Sequence, residues 1–146
     1  IRILEHGFRT QLIREAFVYH KRRSNLRQFF KQVYNSGIAR INLQLRHPGT
    51  LKLVQTAPAL FSLGVIALLL LSILVSWYFV IPVLFHMLLL VLSATLKNHS
   101  LSIGLLAVVT SYTQLLGYGT GFLNAFWRRF ILGRDEYSAF NKNFYK

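Results

Sequence analysis

The sequence predicts a mainly α-helical membrane protein, and three observations predict it. From Leu53 to Leu96 no Asp, Glu, Lys or Arg occurs across 44 positions. That is about twice the span a single bilayer-crossing helix needs. A second apolar run, Leu101 to Phe126, follows a short polar turn. The remaining charge is basic and flanking: the formal net charge is +13, with 11 of the 17 Lys and Arg before Leu53, five after Trp127, and Lys97 alone between. A buried hairpin of a soluble protein is the alternative, but a soluble core rarely sustains so long an uncharged run.

The N-terminal 52 residues are predicted to be a basic, water-facing part. Ile1 to Phe8 reads as the end of a helix already under way, with Gly7 as its C-cap, so a missing N-terminal portion is expected. Ala16-Phe17-Val18-Tyr19-His20 alternates and is rich in β-formers, which predicts a short strand ending at His20. Lys21-Arg22-Arg23 follows at once, and Ser24 offers an N-cap. Leu26, Phe29, Phe30, Val33 and Tyr34 then recur at the α period beside Arg27 and Lys31. Gly37 weakens this helix, but Ile38, Ile41 and Leu45 continue it until His47-Pro48-Gly49. A basic amphipathic helix lying along lipid headgroups fits the pattern. An ordinary helix packed on a domain fits it too.

Residues 53–126 are predicted to be the transmembrane region. A tight hairpin is expected, with spans near 57–77 and 81–96 joined at Ser76-Trp77-Tyr78-Phe79-Val80-Ile81-Pro82. Trp and Tyr favour the membrane interface, and Pro suits the first turn of a new helix. Lys97-Asn98-His99-Ser100 is the next turn. A third span is expected near 101–124, softened by Ser, Thr and Gln114, with Gly117, Gly119 and Gly121 allowing close helix approach. Residues 127–146 read as a basic, aromatic interfacial tail, with Phe140 and Phe144 as an i, i+4 pair. Three crossings place the two basic ends on opposite sides, against the tendency of positive charge to stay on one side. A re-entrant third run, or one paired with a span outside the chain, removes the conflict.

Composition excludes several classes of function. No cysteine is present, so thiolate and disulfide chemistry are absent. The acids are Glu5, Glu15, Asp135 and Glu136, which permits no Ser-His-Asp arrangement. His6, His20, His47, His86 and His99 are scattered without metal-ligand spacing. His86 falls inside the second span, where helix–helix hydrogen bonding is the simpler role and a functional one the alternative. Basic segments abutting apolar spans point to anionic membrane lipids and phosphorylated substrates rather than nucleic acid. A strand-end His20 before three cations brings a metal-ligand type and phosphate-neutralising groups together at a membrane surface. It is equally a pattern of structural residues anchored to headgroups.

At these residues the sequence resembles a known family. Gly7-Phe8, Ala16 through Arg23, Phe29-Phe30-Lys31-Gln32 and Gly37-Ile38-Ala39-Arg40 are similar to the C-terminal end of the catalytic domain of bacterial family 2 glycosyltransferases. These are membrane-associated, inverting enzymes of the GT-A type. The detailed resemblance covers about Ile1 to Pro48. It implies that 1–52 is the C-terminal edge of a GT-A α/β domain and that the enzyme uses a nucleotide-sugar donor at the cytoplasmic face of the bacterial inner membrane. It implies a divalent metal, Mg or Mn, with His20 as a candidate ligand. Lys21, Arg22, Arg23 and Gln32 become candidates for binding the donor diphosphate or the acceptor. The family's Asp-x-Asp metal motif and its catalytic-base Asp are not in this chain and are expected upstream. Processive members carry Gln-x-x-Arg-Trp, but Asn35 and Ser36 follow Gln32 at those positions. Transfer of a single sugar, with a lipid-linked acceptor among the candidates, is therefore expected. The rival readings are a non-enzymatic membrane anchor or assembly subunit, and a transporter fragment using His86, Gln114 and Asn124.

Overall fold

The computed structural model of the chain describes residues 6–19 and 25–134. Among these the ordered structure is helical. Helix α1 is Leu26–Arg46, α2 is Ala57–Leu74, α3 is Ile81–Asn98 and α4 is Leu101–Phe126. Short 3-10 turns at Leu53–Gln55 and Trp77–Val80 precede α2 and α3, and α4 runs on into a π-helical turn at Trp127–Ile131. By length and composition, three stretches can cross a membrane: Ala57–Leu74, Trp77–Asn98 and Leu101–Ile131.

The strand expected over Ala16 to His20 is not present over its described part. Ala16, Phe17, Val18 and Tyr19 have no regular structure, and no strand occurs among the described residues. A strand needs a neighbour to take its N–H and C=O groups. The alternation persists locally, with the Phe17 and Tyr19 rings meeting edge-on at 5.6 Å. Gly7 has φ +80°, the conformation of a C-cap, but the helix it would close lies outside the described residues. So do Ser24 and the tail pair Phe140 and Phe144.

Asn25 caps α1: its Oδ1 accepts from the Arg27 N–H at 2.8 Å, satisfying one of the orphan donors of the first turn. The helix passes through Gly37 without a break and ends at Arg46, as His47-Pro48-Gly49 requires. The polar turn after α3 closes on His99, at φ +51°.

The apolar helices do not bury their leucines against one another. The core is small: Ile38, Ile41, Ala59, Phe122 and Ala125. Leu60, Leu70, Ile73 and Leu74 of α2 and Leu84, Phe85 and Leu88 of α3 all face outward. So much exposed apolar surface is stable only in an apolar solvent. Several hydroxyls obey the same rule. Ser72 donates to the Leu69 carbonyl (2.7 Å), Thr113 to Val109 (2.7 Å) and Thr120 to Leu116 (2.6 Å). Each satisfies itself on its own helix, as hydrocarbon surroundings demand.

The predicted tight hairpin is corrected. Its turn stands, but the first span closes at Leu74 rather than Trp77, and α2 and α3 meet through Phe61 and His86 without their backbones coming close. Both pack on α4, and α1 makes the most extensive contact with α4 of all. The reason lies in the small residues. Gly37 of α1 sits directly against the backbone of α4 at Tyr118 and Phe122, and Gly121 of α4 sits against the backbone of Tyr34. Gly119, on the other side of α4, receives Pro58 and Ser62 of α2, while Gly104 receives Val91 and Thr95 of α3. Leu-rich α2 and α3 offer each other no such notch.

Candidate functional site

The site is built where α1, the Leu53–Gln55 turn, the start of α2 and the C-terminal half of α4 converge. Gly37 brings α1 against α4, which sets the preceding and following turns of α1 over the α4 surface. Tyr34 then reaches Asn124, whose side-chain amide donates to the phenol oxygen. On the other flank the Arg40 guanidinium lies beside the Tyr118 hydroxyl, and both line the same recess. Between them, Gln44 Oε1 accepts from the Leu51 N–H at 2.8 Å, which ties the loop after α1 back onto the helix.

This arrangement leaves a recess of about 350 Å³ beneath α1. Its polar lining is Ser36, Arg40, Gln55, Gln114 and Tyr118. Val33, Val54, Pro58 and Leu115 supply an apolar wall. Gln55 Oε1 is used by the Lys52 N–H at 3.1 Å, which leaves its amide NH2 as a donor. Ser36 spends its hydroxyl proton on the Gln32 carbonyl at 3.0 Å. Arg40 is half-buried and brings a guanidinium with five N–H donors to the recess. The lining contains no carboxylate. It is therefore a donor-rich, cationic recess with one apolar side.

A second recess, about 160 Å³, lies where α2, α3 and α4 meet. Here His86 Nδ1 lies 3.0 Å from Tyr112 Oη, and Tyr112 donates to the Val83 carbonyl at 3.4 Å. Phe61 packs on both rings, at centroid distances of 5.4 and 5.6 Å. His86 thus makes the helix–helix hydrogen bond that its place in an apolar span suggested.

Of the residues picked out by sequence, His20, Lys21, Arg22 and Arg23 lie outside the described residues. Gln32 is on the exposed face of α1, one turn from Ser36, and does not line the recess. Among the described residues no three His, Asp or Glu groups converge to hold a metal ion. The residues that sequence reasoning missed as a set are Arg40, Tyr118, Gln114 and Gln55. The one available signal was the coincidence of Gly37 within a basic helix and the Gly117/Gly119/Gly121 series, which marks two surfaces able to meet closely. No known protein family, curated protein or solved structure matches the chain.

Proposed function

We propose that the chain is the membrane-embedded C-terminal portion of a non-processive, inverting glycosyltransferase of the GT-A type. On this reading, the enzyme moves one sugar from a nucleotide-sugar donor to an acceptor at the cytoplasmic face of a bacterial inner membrane, during surface-glycan assembly. The observation that supports it is the placing of Gly37-Ile38-Ala39-Arg40. This stretch carries part of the family resemblance, and it is also where the basic helix docks on the apolar one. Gly37 makes the close approach, Ile38 enters the core and Arg40 enters the recess. A pattern of that kind joins a water-facing catalytic part to the bilayer at a fixed height.

Within the proposal, an upstream Asp takes the proton of the acceptor hydroxyl. Lys21, Arg22 and Arg23 offset the charge of the departing diphosphate. None of the described residues is assigned to a divalent metal; His20 remains the candidate that the resemblance names. The lipid anchor brings the site to an acceptor that arrives by lateral diffusion.

The test is sugar transfer by the full reading frame in membranes, using a panel of labelled nucleotide sugars and a lipid extract as acceptor. Transfer of single residues is expected. Failure to transfer sugar or to release nucleotide from any donor refutes the enzyme and leaves the anchoring reading. With His20→Ala, turnover and metal dependence close to those of the parent would reduce His20 to a structural residue.

A further inference from the structure

We propose that the recess beneath α1 holds the phosphate of a membrane-lipid headgroup, with Arg40 as its principal anion ligand. This rests on the apolar helices lying in a bilayer and not on sugar transfer.

The argument begins with charge. A half-buried guanidinium is costly unless an anion or good acceptors offset its lost hydration. Arg40 has the neutral phenol of Tyr118. The one acidic side chain among the described residues, Glu15, is on the exposed N-terminal segment. Among the described residues no carboxylate offsets the guanidinium, and an external anion would complete the site. The remaining polar groups point the same way, since the amide NH2 groups of Gln55 and Gln114 and the Tyr118 hydroxyl are donors. Phosphate oxygens take several such donors at once, and arginine matches them in pairs.

The wall says which phosphate. Val33, Val54, Pro58 and Leu115 give one side of the recess to hydrocarbon. Val54, which lines it, is itself largely exposed and follows Lys52 and the outward-facing Leu53 in the chain, just before α2 begins its uncharged run. That sequence of cation, exposed apolar pair and apolar helix marks the depth at which headgroups give way to chains. A soluble phosphate has no use for the hydrocarbon side. At about 350 Å³ the recess is at the small end of ligand sites, enough for a headgroup but not for a whole lipid.

The experiment is native mass spectrometry of the whole chain in detergent, with equal amounts of phosphatidylglycerol and of diacylglycerol, which lacks the phosphate, with and without inorganic phosphate. The parent should retain phosphatidylglycerol over diacylglycerol by roughly tenfold or more, as a charge-assisted hydrogen bond provides. Arg40→Gln should bring the ratio to about unity, and Arg40→Lys should keep part of it. Lys31→Gln, on the exposed face of the same helix, should leave it unchanged. Arg40→Gln also loses the contact with Tyr118, so Gln114→Leu serves as the second variant. It keeps the charge and that contact, and it should lower retention several-fold, as loss of one donor to an anion does. Equal loss with Lys31→Gln would mean diffuse surface attraction and overturn the site. Displacement of phosphatidylglycerol by inorganic phosphate would overturn the lipid assignment in favour of a free anion. No preference in the parent would overturn both.

Discussion

Replacing Gly37 with alanine tests whether α1 is held on α4 by backbone-to-backbone contact. A Cβ at Gly37 would lie 2.7 Å from the Phe122 nitrogen and closer still to the Tyr118 carbonyl oxygen. Real Cβ atoms essentially never come under 3.0 Å, and backbone atoms cannot rotate aside as a side chain can. The two helices must separate by several tenths of an ångström. A gap of that order forfeits roughly a quarter of the dispersion attraction across a contact, here at the interface that buries Ile38, Ile41 and Phe122. Overpacking of this kind costs about 1–3 kcal/mol, and a rigid neighbour puts it at the upper end. Against it stands the gain of about 0.5–1 kcal/mol that alanine brings to any helix interior. The net expected loss is about 2 kcal/mol. Gly64 supplies the control, because a Cβ there meets nothing within 4 Å. Gly64→Ala should therefore stabilise by up to about 1 kcal/mol. The pair should differ by about 3 kcal/mol, more than a hundredfold in the folding equilibrium. Equilibrium unfolding in detergent, followed by helix content, measures both. If the two substitutions shift stability alike, the close docking of α1 on α4 is wrong.

Other substitutions reach other parts of the molecule. Gly117→Ala should be milder than Gly37→Ala in the same unfolding assay, because the atoms it meets are side-chain carbons of Val33 (2.6 Å) and Phe30 (3.2 Å), which can shift. Tyr112→Phe removes the hydrogen bonds to His86 and Val83 and should cost about 0.6–1.7 kcal/mol within the bilayer. A double-mutant cycle with His86→Leu should return most of that as coupling. Asn25→Ala should weaken the first turn of α1 by about 1 kcal/mol, seen as faster hydrogen exchange at the Arg27 amide that it caps. The chain has no cysteine, so single cysteines at Lys52, His99 and Arg134 can be labelled cleanly with an impermeant maleimide. Lys52 and Arg134 should react from one side of the membrane and His99 from the other.

What was legible in the sequence divides along physical lines. Helix boundaries in the apolar region were readable, because Pro82, the Lys97–Ser100 polar turn and the leucine runs act locally. The glycine series was readable as a place of close approach, because small residues serve little else at that density. Its partner was not, since Tyr34 and Gly121 are far apart in the chain and nothing local links them. The strand failed for the opposite reason: Ala16 to Tyr19 have the right local preferences and no neighbour among the described residues to pair with. The recess was invisible because its lining comes from three separate stretches. Arg40 stood out only as the last residue of a familiar pattern. Gln32, its counterpart on the same helix, is rotated to the exposed side, and helical phase alone did not determine which of the two faced inward.

The packing registers also bear on the conflict between three crossings and two basic ends. In three successive upright crossings the first and third helices run the same way. Here Pro58 and Ser62 of α2 face Gly119, Ser62 reaches back to the Leu115 carbonyl at 3.3 Å, and Phe61 meets Tyr112. Advancing along α2 means retreating along α4, so the two oppose each other. α3 opposes α4 as well, with Thr95 at Gly104 and Val83 at Tyr112. Thus α2 begins at the end where α4 finishes, and α3 starts about midway along α4. This arrangement also gathers charge. α1, with Arg27, Lys31, Arg40 and Arg46, lies on the half of α4 that leads into Arg128 and Arg129, and Lys52 stands at the start of α2. Lys97 is left at the opposite end. Among the described residues, the cations of α1, Lys52, Arg128 and Arg129 thus gather toward one end of α4, the distribution that the tendency of positive charge to stay on one side favours.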